Sequence, residues 1–371
     1  MTKHSTWIVA PVFIVLIAAG SYFYFQQQLP DTEIPVKVGV LAPLTGNFAI
    51  FGERIRNAIE LAKADLGDKA ENFEIIYEGA CQPEETVTAV QKLLSVDKVS
   101  WFGGSFCLIG LVPVISLVQG ADTFIFNIAT NPDSTLNQPH VFSTNKSVKA
   151  DAEALATFAT TELQAKTAAS FHYVTPLGED YGKYFFQYFT QNGRVVLSDQ
   201  KIQLDASDFR TELIKMKTLN PDLIFVIHLA QPLGNFIKQA RELGITSKIL
   251  SHSEAEDPNV LEVAGSAAEG FFISSSEPKT KTSVVRDFEK RYQEKYSTPP
   301  DVIAANAYDA FTLQVLAWWE CNGEIACMEN SFRSIKEYAG VSGNLTMNPD
   351  GSTTKPVLFK VVKNGKFVEI K

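Results

Sequence analysis

Between residues 36 and 252, short apolar runs alternate with longer segments of helical periodicity. The apolar runs predict strands at residues 36–42, 73–77, 99–103, 123–127, 168–174, 195–203, 223–228 and 248–252. Apolar positions that recur every three or four residues predict helices at residues 49–66, 84–95, 108–119, 151–162, 182–191, 207–219 and 233–243. In the first helix, for example, Ile55, Ile59 and Ala62 share one face. Such alternation is typical of parallel sheets with helices on both faces.

The alternation restarts after residue 148, so two similar lobes are expected. Further along, the pattern predicts two helices and then a hairpin, at residues 283–296, 304–320, 357–362 and 367–370. This change of pattern indicates that the chain crosses between the lobes more than once, which creates a hinge. Because ligands of open α/β sheets bind at the carboxyl ends of the strands, the functional site is expected in the cleft between the lobes.

The N-terminal segment has the features of an export signal. Its start contains Lys3 and no acidic residue, and residues 7–20 are uncharged and apolar. The small residues at 18–20 offer a cleavage site, whereas the aromatic-rich residues 21–25 extend the apolar stretch to roughly the 20 residues that span a bilayer. A cleaved signal peptide and an uncleaved anchor are both open. Because no cysteine precedes Cys81, a lipid-modified N-terminal cysteine is not expected.

Length and composition favour a folded, two-domain protein and disfavour nucleic acid as a partner. The chain has 371 residues, of which 45% are hydrophobic and 11% aromatic, enough for two well-formed cores after a leader. The formal net charge is −9, and no run of Lys or Arg is dense enough to follow a phosphate backbone.

Four cysteines fit an exported, oxidising environment in which disulfide bonds form. Cys321 and Cys327 flank a loop-like segment that a short disulfide could close, which would leave Cys81 and Cys107 as the second pair. Four cysteines permit three connectivities, and their spacing does not choose among them. No CxxC motif is present and the five histidines are scattered, so a metal site is not expected.

Motifs of common catalytic and nucleotide-binding sites are absent from the sequence. Neither a phosphate-binding loop nor GxGxxG, GxSxG or HExxH occurs. Carboxylates that could form acid–base pairs are Glu53, Glu179, Asp180, Glu254 and Glu256. Such side chains are usually only solvated, so we expect neither an enzyme nor a cofactor.

Short motifs between residues 36 and 370 occur in the order and spacing of a known family. They are residues 38–46 (VGVLAPLTG), Gly52, Asn57-Ala58, Cys81, Cys107, residues 129–132 (ATNP), Tyr181-Gly182, residues 239–244 (QARELG), residues 268–271 (AEGF) and residues 307–310 (AYDA). With them the chain resembles the type I periplasmic binding proteins of ABC transporters, specifically the leucine/isoleucine/valine-binding branch. Each motif is short, so the resemblance rests on their order over nearly the whole exported part.

The resemblance implies an α/β fold of two Rossmann-like lobes, joined by a three-segment hinge, that close on a ligand. The implied segments are a signal peptide or signal anchor at 1–25, a linker at 26–35, a first lobe at 36–148 plus 278–345, and a second lobe at 149–277 plus 346–371. The family pattern also pairs Cys81 with Cys107, which leaves Cys321 with Cys327.

The resemblance further implies a set of ligand-binding positions in the cleft. They are Phe51, Leu108, Ile128, Thr130, Tyr181 and Glu254. Phe51 would form an apolar wall, and Thr130 would hold a ligand carboxylate through its hydroxyl and amide. Tyr181 would face the cleft from the second lobe. In the family an acid that follows the strand ending near residue 252 holds the ligand ammonium; Glu254 is the nearest candidate, and an alternative register puts Ser253 there.

Two positions depart from the family's pattern. The serine that bonds the ligand carboxylate is here Leu108, which cannot donate a hydrogen bond. The tyrosine expected after the strand at 223–228 is Leu229 or Ala230. Because a site built to pair a carboxylate loses much affinity when a partner is missing, the pocket is expected to be more apolar than an amino-acid clamp.

Taken with its leader, the resemblance implies an extracytoplasmic solute-binding protein of an ABC-type importer. The implied ligand is a branched-chain amino acid or a related amide or carboxylate, and the implied partner is the ABC permease. A monomer is expected in the periplasm, free or anchored to the inner membrane by the N-terminal segment. The alternative is a membrane-anchored ligand sensor or interaction protein that reuses the fold, which an uncleaved leader would favour.

Overall fold

The computed structural model describes residues 35–276 and 281–370. The predicted leader and linker residues 26–34 lie outside the described residues. The strands are β1 (Val36–Ala42), β2 (Phe73–Gly79), β3 (Trp101–Ser105), β4 (Ile125–Asn127), β5 (Val141–Ser143), β6 (Thr167–Tyr173), β7 (Val195–Ile202), β8 (Leu223–Ile227), β9 (Lys248–Ser251), β10 (Phe271–Ser275), β11 (Tyr338–Gly340), β12 (Gly343–Met347), β13 (Thr353–Thr354), β14 (Leu358–Lys363) and β15 (Lys366–Glu369). The α-helices are α1 (Ala49–Leu66), α2 (Pro83–Lys92), α3 (Leu108–Gln119), α4 (Val148–Thr161), α5 (Pro176–Gln191), α6 (Arg210–Leu219), α7 (Ala230–Glu242), α8 (Pro258–Ala264), α9 (Ser283–Tyr296), α10 (Val302–Cys321) and α11 (Ile325–Ser334).

The first sheet has the strand order β2-β1-β3-β4-β5, and all its strands are parallel. Helices α1, α9, α10 and α11 bury their apolar residues on one face, where Ile55 and Ile59 of α1 have no exposed surface. Helices α2 and α3 cover the other face through residues such as Leu111 and Val114. We call this sheet with its six helices the first lobe.

The second sheet has the strand order β15-β14-β10-β9-β8-β6-β7, in which β14 runs antiparallel to both its neighbours, β10 and β15, and the other neighbouring strands are parallel. Helices α4 and α5 cover one face, and α6, α7 and α8 cover the other. Fully buried side chains such as Leu155, Phe185 and Phe236 each stabilise the fold by about 1.5–3 kcal/mol through burial. We call this sheet with its five helices the second lobe.

The chain passes between the two lobes three times. The first crossover is residues 144–147 after β5, the second is residues 276–282 after β10, and the third is residues 355–357 after β13. Residues 277–280 of the second crossover lie outside the described range. A small antiparallel sheet of β11, β12 and β13 precedes the third crossover. This architecture confirms the predicted α/β fold of two Rossmann-like lobes with a three-segment hinge.

Several element boundaries differ from those that the periodicity predicts. Helix α5 begins at Pro176 rather than at residue 182, because the Thr175 hydroxyl accepts a hydrogen bond from the Gly178 amide and proline suits the first helical position. The apolar pattern does not predict the short elements β5, β10, α8 and α11. Within the described residues, no helix is both long and apolar enough to cross a membrane.

Candidate functional site

The loop after β4 contains the predicted positions Ile128 and Thr130, both fully buried. We call residues 128–131 the ligand loop. The Asn127 side chain spans its start: Nδ2 donates to Asn131 Oδ1 at 2.7 Å, while Oδ1 accepts from the Ala129 amide at 3.1 Å. Side-chain amides that bond to nearby backbone groups replace the sheet hydrogen bonds where the strand ends. These two hydrogen bonds therefore stabilise the backbone conformation of the ligand loop.

The Thr130 amide of the first lobe meets Glu254 of the second lobe. Its N–H donates to Glu254 Oε1 at 3.4 Å, and Glu254 lies in the short 3₁₀ turn after β9. The Thr130 hydroxyl accepts instead from Asn145 Nδ2 of the first crossover at 3.4 Å. The neighbouring Ser253 is buried in the turn. The backbone amide and the Glu254 carboxylate thus face each other across the cleft.

Two aromatic side chains of the second lobe, His252 and Tyr173, lie near Glu254. His252 Nε2 lies 3.9 Å from Glu254 Oε2, and burial lowers the pKa of His252, which keeps its ring neutral near pH 7. Burial, and then the charge of Glu254, raises the pKa of Tyr173, which also keeps that side chain neutral. The Glu254 carboxylate therefore lies beside neutral rings and has an electrostatic preference for a cationic group.

Tyr181 is fully buried behind His252. The two rings meet edge to face with centroids 5.1 Å apart, and the Tyr181 hydroxyl donates to Asp151 Oδ2 at 2.7 Å. Asp151 also accepts from Ser274 Oγ at 3.1 Å and forms a buried ion pair with Lys146 at 2.8 Å. The Tyr181 hydroxyl therefore points into this buried network, which includes Lys146 of the first crossover.

Phe51 and Leu108 supply apolar surface from the first lobe. The Phe51 ring lies in the first turn of α1, with its centroid 5.1 Å from that of Phe106. Leu108 is the first residue of α3 and packs on two apolar clusters, one beneath α2 and α3 and the other between α4 and α5 of the second lobe. Leu108 therefore makes an apolar contact between the lobes, at the position where the family's pattern has a ligand-binding serine.

Both disulfides that the family pattern implied are present. The Cα atoms of Cys81 and Cys107 are 4.9 Å apart, and those of Cys321 and Cys327 are 5.6 Å apart, within the usual range. The first disulfide ties the start of α3, and hence Leu108, to the segment after β2.

A second polar contact between the lobes involves Asp133. Its backbone N–H donates to Asp180 Oδ2 at 2.7 Å, and its carboxylate accepts from Lys183 Nζ at 2.9 Å and from the Tyr184 hydroxyl. Asp133 follows the ligand loop, whereas the other three residues belong to α5. Burial raises the pKa of Asp180. We call this set the Asp133 contact.

The segment after β8 lacks the tyrosine of the family's pattern. Leu229 occupies the position just before α7, and its backbone N–H donates to His228 Nδ1 at 2.8 Å. Ala230 is the first residue of the helix. Burial lowers the pKa of His228 to about 4, so this ring is neutral at physiological pH. Within the part of the chain that the structure describes, no group of three or more His, Cys, Asp or Glu side chains is arranged to hold a metal ion.

Sequence reasoning missed Asn306 of α10, which is fully buried and contacts the ligand loop. Its Nδ2 donates to the Ile128 carbonyl at 3.2 Å, and its Oδ1 accepts from Lys355 Nζ at 2.7 Å. The available signal was an asparagine between two alanines of a mostly apolar helical stretch. Because a buried amide requires hydrogen-bond partners, such a residue indicates a specific polar contact in the core.

Two α/β/α lobes, joined by three crossovers and contacting each other at the carboxyl ends of their strands, define a two-lobed solute-binding protein. The chain matches the periplasmic binding protein family over residues 35–366 and belongs to it. This confirms the family and the fold class that the motifs predict.

Known relatives share the whole fold at low sequence identity. The Leu/Ile/Val-binding protein homolog 3 of Brucella melitensis biotype 1 is 22% identical, over 90% of this chain and 93% of the relative. The solved structure of a leucine-binding protein from Thermotoga maritima MSB8 is 25% identical, with a TM-score of 0.84 over 91% of this chain and 98% of that chain. An ABC transporter solute-binding protein of Rhodopseudomonas palustris BisB5, solved with 3,4-dihydroxybenzoic acid, is 23% identical, with a TM-score of 0.79 over 91% and 96% of the two chains.

Proposed function

We propose that the protein captures a small organic solute between its lobes and delivers it to an ABC-type permease. The observation that carries this proposal is the approach of the Thr130 amide and the Glu254 carboxylate, 3.4 Å apart and contributed by opposite lobes. A ligand that bonds to both groups gains its full binding energy only when the cleft is closed, so binding would stabilise the closed form.

The chemistry of these groups favours an aliphatic amino acid or its amide as the ligand. A backbone N–H suits a carboxylate or carbonyl oxygen, and a carboxylate suits an ammonium group. Phe51 and Leu108 add apolar surface, which suits a branched side chain. The Brucella relative is named for leucine, isoleucine and valine and the Thermotoga relative for leucine, and both names support a branched-chain amino acid.

An aromatic carboxylate is the second candidate, supported by the Rhodopseudomonas relative that was solved with a dihydroxybenzoic acid. The loss of a hydroxyl donor at Leu108 is compatible with an apolar ring. A ligand with a carboxylate and no amine would, however, bring its charge close to the partly buried Glu254 carboxylate, and two like charges at short range repel each other. We therefore rank it below the amino acid.

The proposal includes a monomer that binds its ligand without altering it, in the periplasm, and two lobes. The expected segments of these lobes are 36–148 plus 278–345 and 149–277 plus 346–371; we take the last boundary at the third crossover, residues 355–357, instead of at 345/346. The apolar residues 7–25 favour a second form of the proposal, in which the same receptor stays anchored to the inner membrane and acts as a ligand sensor. Mass spectrometry of the N-terminus of the protein isolated from cells separates the cleaved from the anchored form.

A thermal-shift panel tests the proposal. The compounds are L-leucine, L-isoleucine, L-valine, leucinamide, benzoate and 4-hydroxybenzoate, with D-leucine as a control of identical composition. A compound present at about 100 times its dissociation constant stabilises the fold by roughly 2.7 kcal/mol, which is a clear rise in Tm. We expect the L-amino acids to raise Tm and to reduce the radius of gyration in small-angle X-ray scattering. A panel without any shift or compaction would contradict the proposed ligand class.

A further inference from the structure

The side-chain amide of Asn306 connects the ligand loop with the hinge. Asn306 has no exposed surface, its Nδ2 donates to the Ile128 carbonyl at 3.2 Å, and its Oδ1 accepts from Lys355 Nζ at 2.7 Å. Ile128 belongs to the ligand loop and Lys355 to the third crossover. One buried amide therefore contacts both the candidate site and a segment that must move when the lobes close.

Lys355 is buried, with 7% of its surface exposed, and every described charged group near it lies on the first lobe or a crossover. Its ammonium also donates to Ser342 Oγ at 2.5 Å. The charged groups that face it are Asp309 of α10 and Lys146 of the first crossover. Asp309 is held by the Val341 and Ser342 amides and by the Ser342 hydroxyl.

These surroundings let Lys355 exchange a proton near neutral pH. Burial lowers the pKa of Lys355 to about 7; the charge of Asp309 opposes the shift and that of Lys146 adds to it. Burial raises the pKa of Asp309, while the charge of Lys355 and the hydrogen bonds from Ser342 and Val341 oppose that shift.

The two forms of Lys355 act differently on the Asn306 amide. An ammonium group has three donors and no acceptor, so protonated Lys355 must face Oδ1 and keeps Nδ2 directed at the Ile128 carbonyl. A neutral amine still has N–H donors for Oδ1, and the Ile128 carbonyl, which only accepts, still requires Nδ2. Loss of the proton therefore leaves the orientation of the amide unchanged but weakens the charge-assisted hydrogen bond that holds the Asn306 side chain against the ligand loop.

We propose that Asn306 is a positioning residue through which protonated Lys355 in the hinge fixes the ligand loop, so that ligand affinity falls as pH rises through neutrality. The inference rests on the proposed function, because it takes residues 128–131 as part of the ligand site. It adds a proton-linked control of affinity, with the control point in the hinge rather than in the cleft.

Calorimetric titration of L-leucine between about pH 6 and pH 8.5 tests the proposal, with benzoate as the probe if benzoate is the panel compound that binds. For the wild type we expect the dissociation constant to rise roughly tenfold over this range, the scale of one hydrogen bond lost in a site. Lys355→Met and Asn306→Leu are expected to bind at every pH as the wild type does at pH 8.5. If Lys355→Met does not fold, Asn306→Leu gives the test alone, because it removes both the acceptor for Lys355 and the donor to Ile128.

Thr144→Val is the matched control. The Thr144 hydroxyl donates to the Asn306 backbone carbonyl at 3.0 Å, so this variant loses a buried hydrogen bond to the same residue without touching the side-chain amide. We expect it to keep the wild-type pH profile. A Lys355→Met protein with the wild-type profile, or a wild type whose affinity is independent of pH, would overturn the proposal.

Hydrogen–deuterium exchange of the peptide with residues 128–131 provides a readout without ligand. At pH 6, exchange is expected to be several-fold faster in Lys355→Met and Asn306→Leu than in the wild type and Thr144→Val, and at pH 8.5 the difference should shrink. Equal exchange in all four proteins at pH 6 would refute the link to the hinge. If this difference is present but no panel compound binds, the proposed ligand class fails and the link stands.

Discussion

At the scale of single residues, we expect the Glu254 carboxylate to set the charge of the ligand that the cleft accepts, because it lies opposite the Thr130 amide and near the neutral rings of Tyr173 and His252. Glu254→Gln keeps the shape of this side chain and removes its charge. We expect L-leucine to bind roughly 10- to 100-fold more weakly, since a hydrogen bond to a charged group contributes about 1.5–3 kcal/mol. Benzoate is expected to bind more tightly, because the repulsion is removed. Calorimetric titration of both compounds measures the two effects.

Glu179→Gln is the control for the loss of one negative charge from the second lobe. Glu179 pairs with Lys201 on the surface, where such pairs contribute little. The Glu179→Gln variant should change neither the dissociation constant of L-leucine nor that of benzoate. If Glu254→Gln shifted both ligands in the same direction, Glu254 would not discriminate between them by charge.

The residue-scale predictions from sequence named the meeting positions, Thr130 and Glu254, but not the atoms that meet. The hydroxyl of Thr130 bonds to Asn145, and the amide faces the cleft. That choice depends on a side chain from the first crossover, which a local motif does not encode. Asn306 and Lys355 were missed for the same physical reason, because their partners come from distant parts of the chain.

At the scale of elements, long helices and the strands of the parallel sheets follow from periodicity, whereas the short elements do not. Helix α8 spans Pro258–Ala264 and β5 spans Val141–Ser143, which are too short to show a period. Helix α5 was predicted too short, because its first turn is stabilised by the Thr175 cap rather than by an apolar stripe.

The two disulfides offer a matched element-scale test, because they close loops of different length. Cys81–Cys107 spans 26 residues and Cys321–Cys327 spans 6. The entropy of the unfolded chain predicts that replacing the first pair by alanine lowers the free energy of unfolding by about 3.5 kcal/mol, against about 2 kcal/mol for the second. Urea denaturation measures both.

Only the first pair is expected to affect ligand binding, because Cys107 immediately precedes Leu108 at the start of α3. Replacement of Cys321 and Cys327 should leave the affinity for the panel compound unchanged. A larger loss of stability from the shorter loop would contradict the entropic account.

At the scale of the whole molecule, the repeated alternation predicts two lobes, but the path between them depends on tertiary contacts. The β14–β15 hairpin joins the second sheet although the preceding helices, α9 to α11, pack on the first. Its alternation indicates a hairpin and carries no information about which sheet edge it pairs with. The third crossover, which contains Lys355, exists because of that pairing.

The Asp133 contact makes a prediction about lobe closure. Asp133→Ala removes the acceptor of Lys183 and Tyr184 in α5, while the Asp133 backbone N–H can still donate to Asp180. Because the Lys183–Asp133 pair is partly exposed, the loss is expected to be about 1 kcal/mol or less. This loss moves the equilibrium towards open forms and weakens ligand binding by roughly threefold, since only the closed fraction binds tightly. Small-angle scattering of the ligand-free variant should give a larger radius of gyration than the wild type.

Asp208→Ala is the control for this prediction, because it removes a surface pair with Arg210 within the second lobe. It should change neither the radius of gyration nor the ligand affinity. If Asp133→Ala kept both the wild-type radius and the wild-type affinity, the Asp133 contact would make no contribution to closure.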